Sequence, residues 1–217
     1  MKFKLIHQGV IEITQVDGVK ENRPSSSLIT CNDLKVVIDI EHPKTEVTDY
    51  IKALKVLGLT PGDIDAVIFT HLHPDHMGHK EMFTKAIFVF QVVEKLAFYF
   101  KNDKKLVLKG DVLVDLNSNG ILRPEYIKGL PDLQLLGERL YFHLIPGHTR
   151  GSTVIFANIS GIIHAWVGDT FLNKKYFDNW EPPGSSWRRE MIYKHMEFIK
   201  TYADVIIPGH GAPFKIK

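Results

Sequence analysis

The chain has 217 residues, 44 % of them hydrophobic, which is enough apolar content to fill a sizeable core. Its 27 basic and 25 acidic side chains leave a formal net charge of +2, so there is no global electrostatic signature for nucleic acid or acidic membranes. With Cys31 as the only cysteine, an intrachain disulfide and a thiolate-based zinc cluster are excluded, and any metal site has to use histidine and carboxylate.

The opening stretch MKFKLIHQGVIEITQV alternates polar and apolar positions and lacks the pattern of a secretory leader. No apolar run reaches the length of a membrane span, so a cytoplasmic protein without a membrane partner is expected. The alternation predicts strands over residues 4–16, 27–30 and 36–40, with residues 17–27 as a polar loop between the early ones. Val47, Tyr50, Ile51, Leu54 and Leu57 then recur at helical spacing, with Thr45 placed to cap the start and Gly58 to end the helix. TPGDIDAVIFTH predicts a short capped turn and a buried strand at 66–69. AIFVF, at 86–90, predicts another strand, and QVVEKLAFYFK a helix with Val92, Val93, Leu96 and Phe100 on one face. Strands dominate the second half: LYFHLIPGH, then STVIFANISGIIHAWVGD folded about a turn at 158–161, and finally DVIIPGHG after a helix over 185–202. No linker or charge block divides the chain, and one domain over residues 1–217 is expected.

Chemistry-bearing residues gather at the strand ends. IFTHLHPDHMGH supplies His71, His73, Asp75 and His76 within six positions after a buried strand. Ile145-Pro146-Gly147-His148 and Ile207-Pro208-Gly209-His210 repeat one tetrapeptide after two later apolar runs, and a third run ends at Gly168-Asp169. Five imidazoles and two carboxylates exceed what one ion accommodates; two ions sharing a carboxylate would use them all. Two metals about 3.5–4 Å apart can hold a bridging hydroxide, polarise a substrate oxygen and stabilise a leaving group, which is hydrolytic chemistry. Asp75 is also a candidate to orient that nucleophile or to pass a proton to the leaving group. His79 reads as a helix-start or solvent-facing residue, and His7, His42, His143, His164 and His195 as structural. Asp39 and Asp65 either support ligands or cap turns. Trp180 and Trp187 read as packing anchors, while Arg188 and Arg189 stay open as contacts for an anion.

In type and order these residues resemble the metallo-β-lactamase superfamily, whose hallmark is His-x-His-x-Asp-His followed by a separate His, Asp and His. The resemblance implies an α/β fold, a four-layer αβ/βα sandwich of two mixed β-sheets with helices on the outer faces. It also implies that His71, His73 and His148 hold one metal and Asp75, His76 and His210 the second, with Asp169 bridging. Two divalent ions per chain, zinc first and iron or manganese as alternatives, would then serve a hydrolase that uses a metal-bridging hydroxide on an ester, lactone, thioester or similar small substrate.

Departures from the branches narrow the choice. Zinc β-lactamases lack the bridging aspartate present here as Asp169, flavin-linked diiron members carry Glu where His73 stands, and quorum-quenching lactonases carry Tyr where Leu172 stands. IPGHTRGSTVIF, VGDTF, SSW and ADVIIPGHGAPFKI look most like the small single-domain group around metallo-β-lactamase domain-containing protein 1. That likeness keeps a phosphodiesterase or ribonuclease, with RNA as partner, as an alternative to a small-molecule substrate. A metal-binding scaffold without catalysis is the reading from another class.

Overall fold

The computed structural model describes residues 1–14, 18–116 and 122–217. The chain opens with β1 (Lys2–His7), β2 (Val10–Thr14), β3 (Gly18–Arg23), β4 (Ser26–Cys31) and β5 (Leu34–Ile38). Helix α1 (Val47–Val56), β6 (Ala66–Ile68), the short α2 (Pro74–Met77), β7 (Ile87–Gln91) and β8 (Lys105–Leu108) follow. The second half runs β9 (Val112–Asp115), β10 (Arg123–Tyr126), β11 (Arg139–Leu144), β12 (Thr153–Ile159), β13 (Ile162–Gly168), α3 (Lys174–Asp178), α4 (Arg189–Tyr202), β14 (Val205–Pro208) and β15 (Phe214–Lys215).

Among the described residues these strands form a six-stranded sheet, β1-β4-β5-β6-β7-β8, and a seven-stranded one, β10-β9-β11-β12-β13-β14-β15, with β2-β3 as a separate ribbon. Both large sheets are mixed: β5 to β8 run parallel in the first, and β13 and β14 run parallel in the second. Parallel neighbours need a crossover, and α1 and α4 supply two of them.

Layering follows from burial on both faces of each sheet. Val36, Val37 and Ile38 are consecutive and all buried, although successive strand side chains point to opposite sides. Val36 and Ile38 join Ile68 and Val89 against Phe142, Ile155 and Ile207 of the second sheet. Val37 packs outward with Val67 and Phe88 beneath Tyr50 and Leu54 of α1. On the far side, Phe156, Ala165 and Ile206 lie beneath Ile192, Met196 and Ile199 of α4. The order helix, sheet, sheet, helix is the αβ/βα sandwich that the sequence motif implied.

Several boundaries differ from expectation for local reasons. The stretch 4–16 is two strands rather than one, because β1 pairs with β4 whereas β2 pairs with β3. Residues 18–23 are a strand, not loop; GVKENR carries no apolar alternation and its ribbon belongs to neither core sheet, and residues 15–17 lie outside the described ones. Thr45 does not cap α1: Glu46 takes that position, and the Thr45 hydroxyl donates to His42 O at 2.6 Å. Gly58 does end the helix, at φ 76°.

QVVEKLAFYFK is not an α-helix. Only a 3-10 segment, Lys95–Phe100, forms; Val92 and Val93 are exposed, while Glu94 turns inward to accept the Thr149 hydroxyl. Strands β8, β9 and β10, four residues each, give too short an alternation to stand out from their polar surroundings. No helix among the described residues is long and apolar enough to cross a membrane.

Leu54 is fully buried at the contact of α1 with its sheet. Truncation to alanine is expected to cost about 2–5 kcal/mol, read as a lowered denaturation midpoint with an unchanged slope.

Candidate metal centre

The parallel pairs β5/β6 and β13/β14 each bring two C-terminal ends to one edge, and the β11–β12 connection joins them there. All seven motif residues converge at that edge. His71, His73, His148 and Asp169 form one cluster and Asp75, His76, Asp169 and His210 the other; within each, one metal-capable atom per residue lies within 4.8 Å of the others. His79 belongs to neither: it sits at φ 57° ahead of a 3-10 turn and its Nε2 bonds Thr45 O. His7, His42, His143, His164 and His195 also lie outside both clusters.

Asp169 is the common member. Its Oδ2 lies 3.3 Å from His148 Nε2, and its Oδ1 lies 3.2 Å from His76 Nε2 and 3.3 Å from His210 Nε2. Asp75 Oδ2 is 3.5 Å from His210 Nε2 and 3.8 Å from His76 Nε2, and His148 Nε2 faces His73 Nδ1 at 2.8 Å. His76 Nε2 and Asp169 Oδ1 meet as an ion pair without the geometry of a hydrogen bond, and His71 Nε2 is buried with no hydrogen-bond partner at all among the described residues. An orphan such as His71 Nε2 costs about 1–3 kcal/mol. Nitrogen and carboxylate lone pairs gathered in a closed space are the donor set a divalent cation would satisfy, and zinc suits it well.

Behind the clusters a hydrogen-bonded chain sets the ring orientations. Thr70 donates its N–H and hydroxyl to Asp39 at 2.9 and 2.7 Å. With its hydrogen committed, the Thr70 oxygen can accept only, so His71 Nδ1 at 3.2 Å carries the proton and Nε2 presents a lone pair. His76 Nδ1 donates to Asp39 Oδ2 at 2.9 Å and His210 Nδ1 to Arg23 O at 2.9 Å, which likewise turns each Nε2 inward. Asp39 thus supports ligands, while Asp65 does not: its carboxylate accepts the N–H of Lys35 in β5 at 2.8 Å, at the start of the β5–β6 pairing. Asp39 holds a left-handed φ of 52°, an uncommon conformation for a non-glycine residue.

Thr70 and Glu94 carried no signal in the sequence, the first an ordinary residue just past a strand and the second placed inside a helical pattern. Buried Glu94 accepts the Thr149 hydroxyl, and Thr149 O accepts the Gly147 N–H at 2.9 Å, pinning the loop that carries His148.

The electrostatics split the imidazoles. Burial, followed by the neighbouring His76, holds His71 well below the ordinary histidine value. Burial also lowers His73, and it lowers His148 to about 4, although Asp169 opposes both shifts. For His76 burial is outweighed by Asp169, Asp39 and Asp75 together, which raise it well above the ordinary value; Asp169 raises His210 against burial in the same way. Asp169 is held far below the usual carboxylate range, because His210, His76 and His148 overcome its burial.

A cleft of about 370 Å³ opens beside His73 and His148, walled by Glu94, Arg150, Ser185 and Trp187. Trp187 is therefore not the packing anchor expected: it is 39 % exposed. Trp180 does pack, against Phe171 and Phe177. The helix expected over 185–202 starts only at Arg189, because the Trp187 and Arg188 N–H groups donate to His148 O and Gly147 O at 3.0 and 2.8 Å, which holds that stretch extended.

Comparison with known proteins gives a consistent picture. The family model described as Metallo-beta-lactamase superfamily matches residues 24–210. A Methanocaldococcus jannaschii protein named a probable metallo-hydrolase is 36 % identical over 99 % of this chain and 90 % of its own. Metallo-beta-lactamase domain-containing protein 1 of Xenopus laevis is 29 % identical over 84 % of this chain and 69 % of its own length. An N-acyl homoserine lactonase of Bacillus cereus is 27 % identical over 76 % of this chain and 63 % of its own. Among solved structures, a Thermotoga maritima chain described as metallo-beta-lactamase superposes with a TM-score of 0.70 at 17 % identity, covering 99 % of this chain and 98 % of that one.

A side chain at Gly209 has no room, because a β-carbon there would fall on Asp169 Oδ1 and within 2.9 Å of Gly168 O. Gly209→Ala is expected to displace Asp169 and cost about 1–3 kcal/mol, seen as a lowered melting temperature.

Proposed function

The chain belongs to the metallo-beta-lactamase superfamily of metal-dependent hydrolases, and from that premise we propose that it is a dinuclear enzyme acting on an ester, lactone or thioester. In this reading His71, His73 and His148 hold one ion, Asp75, His76 and His210 hold the other, and Asp169 serves both. The observation that carries it is the placement of the two Asp169 carboxylate oxygens, Oδ2 beside His148 and Oδ1 beside His76 and His210. Zinc is the expected metal, from the predominance of imidazole donors.

Two ions so held would supply a water acidic enough to act as nucleophile near neutral pH and a positive charge for the substrate oxygen. The chain's own groups do the rest. Asp39, Thr70 and the Arg23 carbonyl keep the ligating nitrogens facing inward before any ion arrives, which lowers the reorganisation that binding requires. Asp75, whose side chain is partly accessible, keeps its Oδ2 beside the clusters, where it can take a proton from the nucleophile and return it to the leaving group. The cleft beside His73 has the size of a small-molecule site, which favours a compact substrate over a polymer. Lactone hydrolysis, the activity named for the Bacillus cereus relative, falls within this class.

Elemental analysis of zinc-saturated protein should return two ions per chain, and a plateau near one would rule out the dinuclear reading. Asp169→Ala should weaken both sites, and His148→Ala mainly the first. Asp75→Asn should lower kcat more than it lowers metal occupancy.

Acidification should strip metal, because ligation requires proton-free nitrogens. The sign differs by cluster. His71, His73 and His148, held low, are already neutral near pH 7, whereas His76 and His210, held high, must release protons to bind. As pH falls, the second cluster should therefore empty first, measurable by metal content after dialysis across a pH series.

A further inference from the structure

We infer that the cleft beside His73 and His148 selects substrates bearing an oxyanion, a carboxylate or a phosphate, away from the cleaved bond, and that Arg150 and Arg188 read this charge. The inference rests on the hydrolase reading above and adds the substrate class to it. Arg150 and Arg188 both lie over the Trp187 ring, with guanidinium carbons 5.1 and 4.8 Å from its centroid. Both are exposed, and among the described residues neither meets a carboxylate. Their neighbour Arg189 shows the contrast, since it is 3.7 Å from Glu181 and donates to Pro182 O. Lys95 stands with Arg150 on the cleft wall, and Arg188 lies just outside that wall on the Trp187 ring.

Two like charges on one indole, without an internal counter-ion, form a positive spot whose natural complement arrives from outside. Stacking on the ring holds the planar donor forks, so less freedom is lost when they grip an oxyanion in bidentate fashion. Glu94, the acid of the cleft wall, is engaged elsewhere: its carboxylate is buried and accepts the Thr149 hydroxyl, and it forms no ion pair with either arginine.

The position of this spot is set by the backbone. The Trp187 and Arg188 N–H groups are bonded to His148 O and Gly147 O, the loop that delivers a proposed metal ligand. The backbone of the cationic segment is thereby tied to the loop of the reacting centre, which keeps a substrate's charge and its scissile bond within reach of one another. Arg188, left open by the sequence as an anion contact, takes that role here, while Arg189 is engaged elsewhere.

The test compares two esters on zinc-loaded protein: 4-nitrophenyl butyrate and mono-4-nitrophenyl glutarate, which share the reacting group and differ in a terminal carboxylate. The glutarate should be preferred in kcat/KM, and the double variant Arg150→Gln, Arg188→Gln should lower that preference about tenfold. Lys52→Gln, which removes a positive charge on the distant face of α1, should leave the preference unchanged. Calorimetric titration with glutarate and with glycerol phosphate gives a reading independent of turnover. Each should bind the double variant more weakly than the native protein, and the tighter binder names the carboxylate or the phosphate as the group recognised. Anion binding that depends on the arginines while neither ester turns over would leave the anion site standing and overturn the hydrolase reading. Binding indifferent to both arginines overturns the inference, whatever the esters do.

Discussion

The enclosed carboxylate of Asp169 is the group around which the rest is arranged. A lone carboxylate carried that far from water is too costly to stay ionised, yet three imidazoles from three other chain segments hold it so. The arrangement tolerates little displacement. Gly209 has no side chain because Asp169 occupies the space, Gly168 turns the strand end at φ 48°, and the Gly209 N–H donates to Gly168 O at 2.9 Å. Parallel pairing of β13 with β14 sets Asp169 and His210 beside one another, and parallel pairing of β5 with β6 does the same for Asp39 and the His71 segment.

A single buried carboxylate likewise organises the layer behind. Asp39 receives Thr70 twice and His76 once, and through Thr70 it fixes the tautomer of His71. One acidic side chain thereby orients a ligand candidate in each cluster. The left-handed backbone at Asp39 fits this role, since strained residues persist where their surroundings over-determine them.

The seven clustered residues were legible in the sequence because chemistry restricts them to His and Asp and because each follows an apolar run with a glycine, threonine or proline nearby. The layers were legible from their apolar strands, and their order from the motif's resemblance to a known family. Thr70 and Glu94 were not, because a threonine at a strand end and a glutamate in an amphipathic run have ordinary local explanations, and only a partner 31 or 55 positions away gives them another. Trp187 was misread for a similar reason: its exposure follows from two backbone bonds to a loop remote in sequence, which keep residues 185–188 out of the helix their composition suggests. Strand β3 was missed because GVKENR carries no apolar alternation, and its only strand partner among the described residues, β2, lies outside both core sheets.

Each cluster draws on both halves of the sandwich. His71 and His73, or Asp75 and His76, follow a strand of the first sheet, while His148, Asp169 and His210 follow strands of the second. A cation seated in either cluster would act as a rivet between the sheets, closing chain loops of about 75 or more residues, a cross-link that the single cysteine cannot supply. Opening the sandwich at that edge and releasing the ion become one event, so the proposed cofactor would also govern how slowly the folded chain comes apart.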